Sequence, residues 1–255
     1  MRGDSQQSPW EFLMNFDKYI LHEDADIMVI NKPEGINAHW GSVNKIGVEE
    51  IVRHKRGDDV RVGHRLDRDT TGVMVIAKSD AAQAQLKIDF GDKTASQMKK
   101  TYLALMDGTF DYPGIFEAEA FIAKTSTERM QVVPSPLGYG TRDSLTFFKP
   151  LLVLEGSSGR TSTLTEVRIV TGRTHQIRVV AADYLKHPLI GDRMYNPDPT
   201  GATRPLLHAF ELTLRHPVSG ERHTFTAPIP DDFKKKIYDL NWKYFIREEK
   251  VNKVV

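Results

Sequence analysis

The chain is 255 residues long, 40% hydrophobic and 27% charged, with a formal net charge of +1. That is an ordinary globular composition with ample material for a core, and near-neutrality argues against a uniformly basic nucleic-acid binder while leaving room for a local basic face. The absence of cysteine excludes disulfides, thiolate metal sites and a cysteine nucleophile. No run approaches the roughly 18–20 apolar residues of a bilayer span, and the polar start Met1–Ser8 lacks a signal-peptide core, so a cytoplasmic protein without a membrane partner is expected.

Residues 1–20 read as an irregular or short helical arm, with Trp10, Leu13 and Met14 spaced to pin it to the body. Ile27–Ile30 reads as a short buried strand closed by Asn31-Lys32-Pro33-Glu34-Gly35, a turn in which Pro sets φ and Gly permits positive φ. Gly47–His54 fits a short helix with Val48, Ile51 and Val52 on one face. Residues 61–72 form a charged loop ahead of the apolar strand Val73–Ala77. Ser79 or Asp80 caps a helix with Ala82, Leu86 and Phe90 in register, stopped by Gly91. Lys100–Met106 is a strand ending at Asp107-Gly108.

Between Tyr112 and Ser162 the pattern gives several short strands and many turns. Thr163–Val170 is a strand. A helix starting near Thr174 carries Ile177, Val180, Ala181, Tyr184 and Leu185 at i, i+3, i+4, i+7 and i+8. Leu206–Leu214 and His223–Ala227 make a hairpin through Pro217–Gly220, and Phe233–Phe245 is a final helix. Strands outnumber helices without regular alternation, which gives an α+β fold with a mixed, mostly antiparallel sheet. The organisation expected is an arm over 1–20, one domain over 21–245 and a tail over 246–255.

The stretch His64-Arg65-Leu66-Asp67-Arg68-Asp69-Thr70-Thr71-Gly72 carries the most chemistry. It sets the carboxylate of Asp67 between Arg65 and Arg68, directly before a buried strand, where desolvation is tolerable only if charges pair. Tyr102 lies on the 100–106 strand. Arg178 lies on the helix after Thr174, three residues from His175 and on its face, where a guanidinium favours the ionised form of a nearby carboxylate. On these residues alone, Asp67 and Arg178 fit a structural ion pair as well as a catalytic one. Tyr102 fits sheet packing, Asp69 a local turn, and His64 and His175 hydrogen-bonded scaffold.

These pieces, taken together and in order, resemble the RluA-type pseudouridine synthases. Asn31–Gly35 is similar to that family's early Asn-Lys-Pro-x-Gly turn, His64–Asp67 to its catalytic loop, and Lys100-Thr101-Tyr102-Leu103-Ala104 to its Lys-x-Tyr-x-Ala strand. Gly172-Arg173-Thr174-His175-Gln176-Ile177-Arg178-Val179 resembles its long third signature. His187–Asp192, Leu207-His208-Ala209 and His216-Pro217 resemble later segments. The similarity runs from about Leu21 to Phe233. Val180 departs from the His that many members have, and Thr71 from the usual Ser. No room remains before Leu21 for the small S4-type domain that some members carry, so substrate choice is expected from the catalytic domain or a partner.

The resemblance implies isomerisation of uridine to pseudouridine in looped or structured ribosomal or transfer RNA, by a monomer and without cofactor or metal. It implies Asp67, Tyr102 and Arg178 as catalytic residues, with Arg65, Ile177, His64 and Arg173 binding substrate. The target base must leave its stack, and Arg65 suits the space it vacates. Lys78, Lys99, Lys100 and Arg173 are expected to rim the cleft. A non-catalytic RNA-binding or remodelling protein on the same fold is the main alternative. A metal-dependent phosphoesterase using His64, Asp67, Asp69 and His175 lacks a ligand spacing, and its arginines would repel a cation. A kinase reading fails for want of a Gly-rich phosphate loop.

Overall fold

In the computed structural model, residues 8–39, 46–91, 98–125, 129–136, 140–198 and 201–240 are described. They fall in two compact units, Met1–Lys100 with Ala209–Pro228, and Thr101–His208 with Ile229–Val255. Among the described residues no helix is long and apolar enough to cross a membrane.

The first unit begins with helix α1, Pro9–Met14, capped by Ser8, whose hydroxyl accepts the Glu11 N–H at 3.1 Å, with Pro9 in the first turn. A 3₁₀ turn follows over Phe16–Tyr19. The arm is pinned by Phe12 and Phe16, both buried, while Trp10 and Met14 are 66% and 77% exposed. The expected anchor thus sits on the wrong face: two phenylalanines four apart offer more buried area than the alternative stripe, and they stack edge-on with centroids 5.5 Å apart.

Strands β1 (Ile20–Glu23) and β2 (Ile27–Lys32) form a hairpin. Helix α2 (Val48–Arg56), the two-residue β3 (Arg61–Val62) and β4 (Thr71–Ala77) follow, then α3 (Asp80–Gly91), for which the Ser79 hydroxyl accepts the Ala82 N–H. The strand order is β1-β2-β4, then β10 (Leu207–Arg215), with β3 on β4 and β11 (Arg222–Thr226) on β10. Every residue of β4 is buried, so both faces of this strand are covered and no polar alternation survives in its sequence. One face packs Ile27, Val29, Val73, Val75, Leu212 and Leu214 against Ala82 and Leu86 of α3. Gly72 has φ +111°, and a Cβ there would lie 2.1 Å from the Ala209 carbonyl oxygen. The charged loop therefore ends on a backbone-to-backbone approach that only glycine permits.

In the second unit the strand order is β5 (Lys99–Asp107), β9 (Thr161–Ile169), β8 (Arg142–Glu155), β6 (Phe116–Lys124), β7 (Met130–Val133). The short strands expected over 112–162 are replaced in part by β8, 14 residues long, whose first half pairs with β6 and whose second half pairs with β9 across an irregularity between Pro150 and Leu152. Pro150, lacking an N–H, does not stop the strand because the bulge absorbs it. Helix α4 spans only Gln176–Val179 and passes into a π-helical turn over Val180–Tyr184. The continuous 3.6-residue pattern expected after Thr174 is broken at both ends: His175 is left-handed (φ 55°) and Tyr184 is 44% exposed. Helix α5 (Asp231–Leu240) docks through Phe233, Ile237 and Leu240, and the rest of the expected terminal helix lies outside the described residues. The β2–β4, β6–β8 and β8–β9 pairings are antiparallel, and the α+β, mostly antiparallel class agrees with the sequence pattern.

Gly72→Ala adds both strain at positive φ and a collision with immobile backbone, so it is expected to destabilise by more than about 3 kcal/mol. Gly57→Ala, at φ +103° and ψ 171° with nothing within 4 Å, carries the strain without the collision and should cost about 1–3 kcal/mol. Urea unfolding of both variants measures the difference; equal losses would mean the contact at Ala209 relaxes freely.

Candidate active site

The loop that carries Asp67 is fixed from beneath by a lysine. Lys32, in the Asn-Lys-Pro turn, is fully buried, and its ammonium donates to the carbonyls of Pro33 (2.8 Å), Ile36 (2.8 Å) and Arg68 (2.9 Å). Three acceptors match the three hydrogens of an ammonium, which makes so deep a burial tolerable. The third bond crosses 36 positions of sequence and holds the backbone next to Asp67. The Asp67 carbonyl accepts the Thr70 N–H at 3.1 Å, closing a tight turn.

Leu66, Thr70 and Thr71 point inward and are buried; Asp67 is half-buried, and Arg65 and Arg68 are exposed. Arg68 lies 3.4 Å from Asp69, so one of the two arginines flanking Asp67 has its own carboxylate.

His64 supports the same loop. Its Nε2 accepts the Val75 N–H at 3.1 Å, and its ring stacks on Phe90 at 4.4 Å. Burial first, then the positive charge of Lys100, push its pKa down to about 3. The imidazole is a neutral acceptor wedged between loop and strand. Lys100, expected at a basic rim, is buried with its Nζ 5.8 Å from the Phe90 ring centroid, and Lys78 is ion-paired to Glu23 at 2.8 Å. Lys99 is exposed.

The second unit presents Tyr102, buried on β5, and the short helix α4 with Ile177 and Arg178. Arg178 is held by a fork: Nε donates to Asp192 Oδ2 at 2.7 Å and Nη2 to Asp192 Oδ1 at 2.9 Å, and Asp192 is itself buried. Of the five N–H donors of a guanidinium, Asp192 takes two. Its Cζ also lies 5.2 Å from the Tyr195 ring centroid. Gln176 spends both ends of its amide on structure. Its oxygen accepts from Thr171 and from the Arg173 N–H, while its nitrogen donates to Leu145 and Thr146. Arg173 is tied through Nε to the Asp143 carbonyl at 2.9 Å. His175 caps α4 from a left-handed backbone, so it does not share a helical face with Arg178 as the spacing implied.

Lys32, Asp192 and Tyr195 carry no role in the sequence reading although the first two lie in matched segments. The available signal was a charged residue close behind an apolar run, Lys32 after Ile27–Ile30 and Asp192 after Leu189-Ile190. A buried charge implies a partner, but only the fold names it.

Among the described residues, Asp24, Asp26 and His216 have ligand atoms within 4.8 Å of one another. Their bonding is that of a closed knot. Asp24 accepts from the Asp26 and Ile27 amides and from His22, and lies 3.3 Å from His216 Nε2. His216 Nδ1 accepts from the Val218 and Ser219 amides, which leaves the hydrogen on Nε2, where a metal would need a lone pair. Burial would raise the Asp24 carboxyl, but these hydrogen bonds and His216 hold it at about 2.

The RNA pseudouridylate synthase family matches residues 26–183. The chain belongs to this family. It is 36% identical over 233 residues to the ribosomal large subunit pseudouridine synthase D of Vibrio cholerae, covering 84% of this chain and 68% of that one. Against the synthase C of Pasteurella multocida it is 36% identical over 229 residues, covering 86% and 67%. Among solved structures, human RNA pseudouridylate synthase domain containing 1 superposes with a TM-score of 0.67 at 26% identity, over 82% of each chain. The protein is an RNA pseudouridine synthase, an isomerase.

Two variants test the support beneath the Asp67 loop of the synthase. Lys32→Met strands three carbonyls and should lower unfolding free energy by about 3 kcal/mol or more, with activity falling alongside; an unchanged urea midpoint would deny the anchor. For His64 the folded pKa lies below the ordinary 6.5, so the unfolded chain binds the proton first. Stability attributable to this group is then lost as pH falls from about 6.5 toward 3. His64→Gln, which keeps an acceptor for Val75, should make the acid limb shallower by up to one proton; parallel limbs would contradict it.

Proposed function

We propose that the protein converts a uridine of ribosomal RNA to pseudouridine, with Asp67 as the catalytic carboxylate. The observation that carries the reading is the loop itself: Asp67 stands half-buried on a turn clamped by the Lys32 ammonium, in a chain whose most similar curated relatives include ribosomal large subunit synthases. In the reaction the N-glycosidic bond breaks, the uracil turns while held, its C5 bonds to the ribose C1′ and loses its hydrogen to solvent as a proton, and N1 takes up a proton. The sum is an isomerisation, so no cofactor enters. Asp67 supplies the carboxylate and Arg178 a guanidinium of the uridine site. Tyr102 stacks on the uracil, and Ile177 lines the base pocket. Arg65, exposed beside Asp67, fills the place of the flipped nucleotide. Arg173 binds the RNA backbone, and His64 acts through the loop it supports. The site of action is the cytoplasm, and the acting form is a monomer.

The test uses ribosomal RNA tritiated at uridine C5, with tritium released to water as the readout, in excess EDTA. Wild type should release tritium and Asp67→Asn should lose at least about a thousandfold in rate. Release from transfer RNA alone would move the substrate. RNA binding without release from either RNA would favour a non-catalytic binder on this fold.

A further inference from the structure

Tyr195 is 4% exposed and lies three residues beyond Asp192. Its hydroxyl accepts the Met130 N–H at 3.0 Å and lies 3.0 Å from His175 Nδ1. With an N–H arriving from Met130, the phenol's own hydrogen goes to His175, and the imidazole takes the tautomer with its hydrogen on Nε2. Burial first raises the phenol's pKa, which keeps the donor in place. His175 has φ 55° and ψ 20°, a conformation that costs a side-chain-bearing residue about 1 kcal/mol or more. It makes no side-chain cap bond to its own helix, and its carbonyl accepts the Val179 N–H at 2.9 Å, the first bond of α4. The contact to Tyr195 ties this left-handed start to the residue that underlies Arg178.

The same tyrosine meets Arg178 by two further routes. Its ring lies under the guanidinium at 5.2 Å. Its backbone N–H, with that of Met194, donates to Asp192 Oδ1, the carboxylate whose other oxygen takes Arg178 Nε. The β6–β7 hairpin reaches the ring as well, through Met130 and through Arg129 at 5.0 Å, and is tied to the π-helical turn where Asp183 accepts the Val132 N–H.

We propose that Tyr195 is a positioning residue for pseudouridine formation: by bonding His175 and underlying Arg178 it fixes the start of α4, and with it the orientation of Ile177 and Arg178. It touches no reacting atom. The proposal rests on the reading of Ile177 and Arg178 as parts of the uridine site.

The experiment measures single-turnover tritium release at saturating RNA together with the RNA dissociation constant. Tyr195→Phe keeps the ring and removes only the hydroxyl. Its rate should fall at least about tenfold, while RNA affinity changes less than about twofold. His175→Asn should stay within about threefold of wild type, because Asn tolerates left-handed backbone and its amide oxygen replaces Nδ1 as the acceptor. His175→Leu should fall at least about tenfold, and Tyr195→Phe with His175→Leu should be no slower than the slower single variant.

A Tyr195→Phe rate within twofold of wild type, a loss confined to RNA affinity, or multiplicative effects in the double variant would overturn the proposal. If Tyr195→Phe does not fold, the Asn and Leu variants at 175 decide, and equal rates overturn it. Arg178→Met runs beside them: full activity there defeats the site reading and this proposal with it, whereas full activity in Tyr195→Phe alone defeats only the proposal.

Discussion

A buried ammonium with three carbonyl acceptors is the constraint on which the first unit's chemistry depends. Lys32 joins the turn after β2 to the loop before β4, two segments 36 residues apart, by donating to backbone carbonyls in both. Carbonyls are the right partners here. They fix backbone, which is what places a side chain. Removing such a cation would leave three carbonyl oxygens without their donor, each with a desolvation cost of its own. Gly72 completes the frame at the other end of the loop, where the Ala209 carbonyl leaves no space for a Cβ. Between these two points the loop is held by backbone, and His64 fills the gap beneath it.

The second unit uses paired charges instead. Arg178 with Asp192, Arg204 with Asp232, and Arg160 with Asp107 and Asp198 are bidentate or two-partner contacts. Of these, Arg178–Asp192 is buried on both sides, and buried pairs contribute little net stability over an apolar replacement, but breaking one is costly because the survivor is left uncompensated. Their value lies in geometry, since a guanidinium fork bound at two points has one orientation. Gly191, at φ +77° with the Arg204 carbonyl 2.0 Å from where a Cβ would stand, sets the turn that aims Asp192. Both units thus place a glycine against immobile backbone, Gly72 at the end of the loop that carries Asp67 and Gly191 next to Asp192.

Strand existence was legible where burial is one- or two-sided and continuous, as in β2, β4 and β9, because apolar runs bounded by turn residues have few other readings. It was poorly legible across 142–155, where Pro150 and mixed polarity conceal a long strand carried across a bulge. The α4 region misled in a different way. Ile177, Val180 and Ala181 are buried as the spacing implied, yet the helix beneath them changes pitch, and a pattern of period 3.6 does not reveal a π turn. Val180, the departure from the usual His, is fully buried at that change of pitch. Lys78 and Lys100 were read as surface cations because charge in a sequence defaults to solvent; only the fold shows a glutamate beside one and a phenylalanine ring beside the other.

The sequence by itself determined the family and the reaction class, because these depend on residue types in a fixed order along the chain: Asp67 among its arginines, Tyr102 in its strand, Arg178 after Gln176 and Ile177. Only the tertiary structure decided who holds those residues. The Lys32 bond to Arg68, the Asp192 fork on Arg178 and the Tyr195 bond to His175 join positions 36, 14 and 20 residues apart. Hydrogen bonds at such separations leave no periodicity in the chain, since they depend on where the intervening elements turn rather than on local spacing.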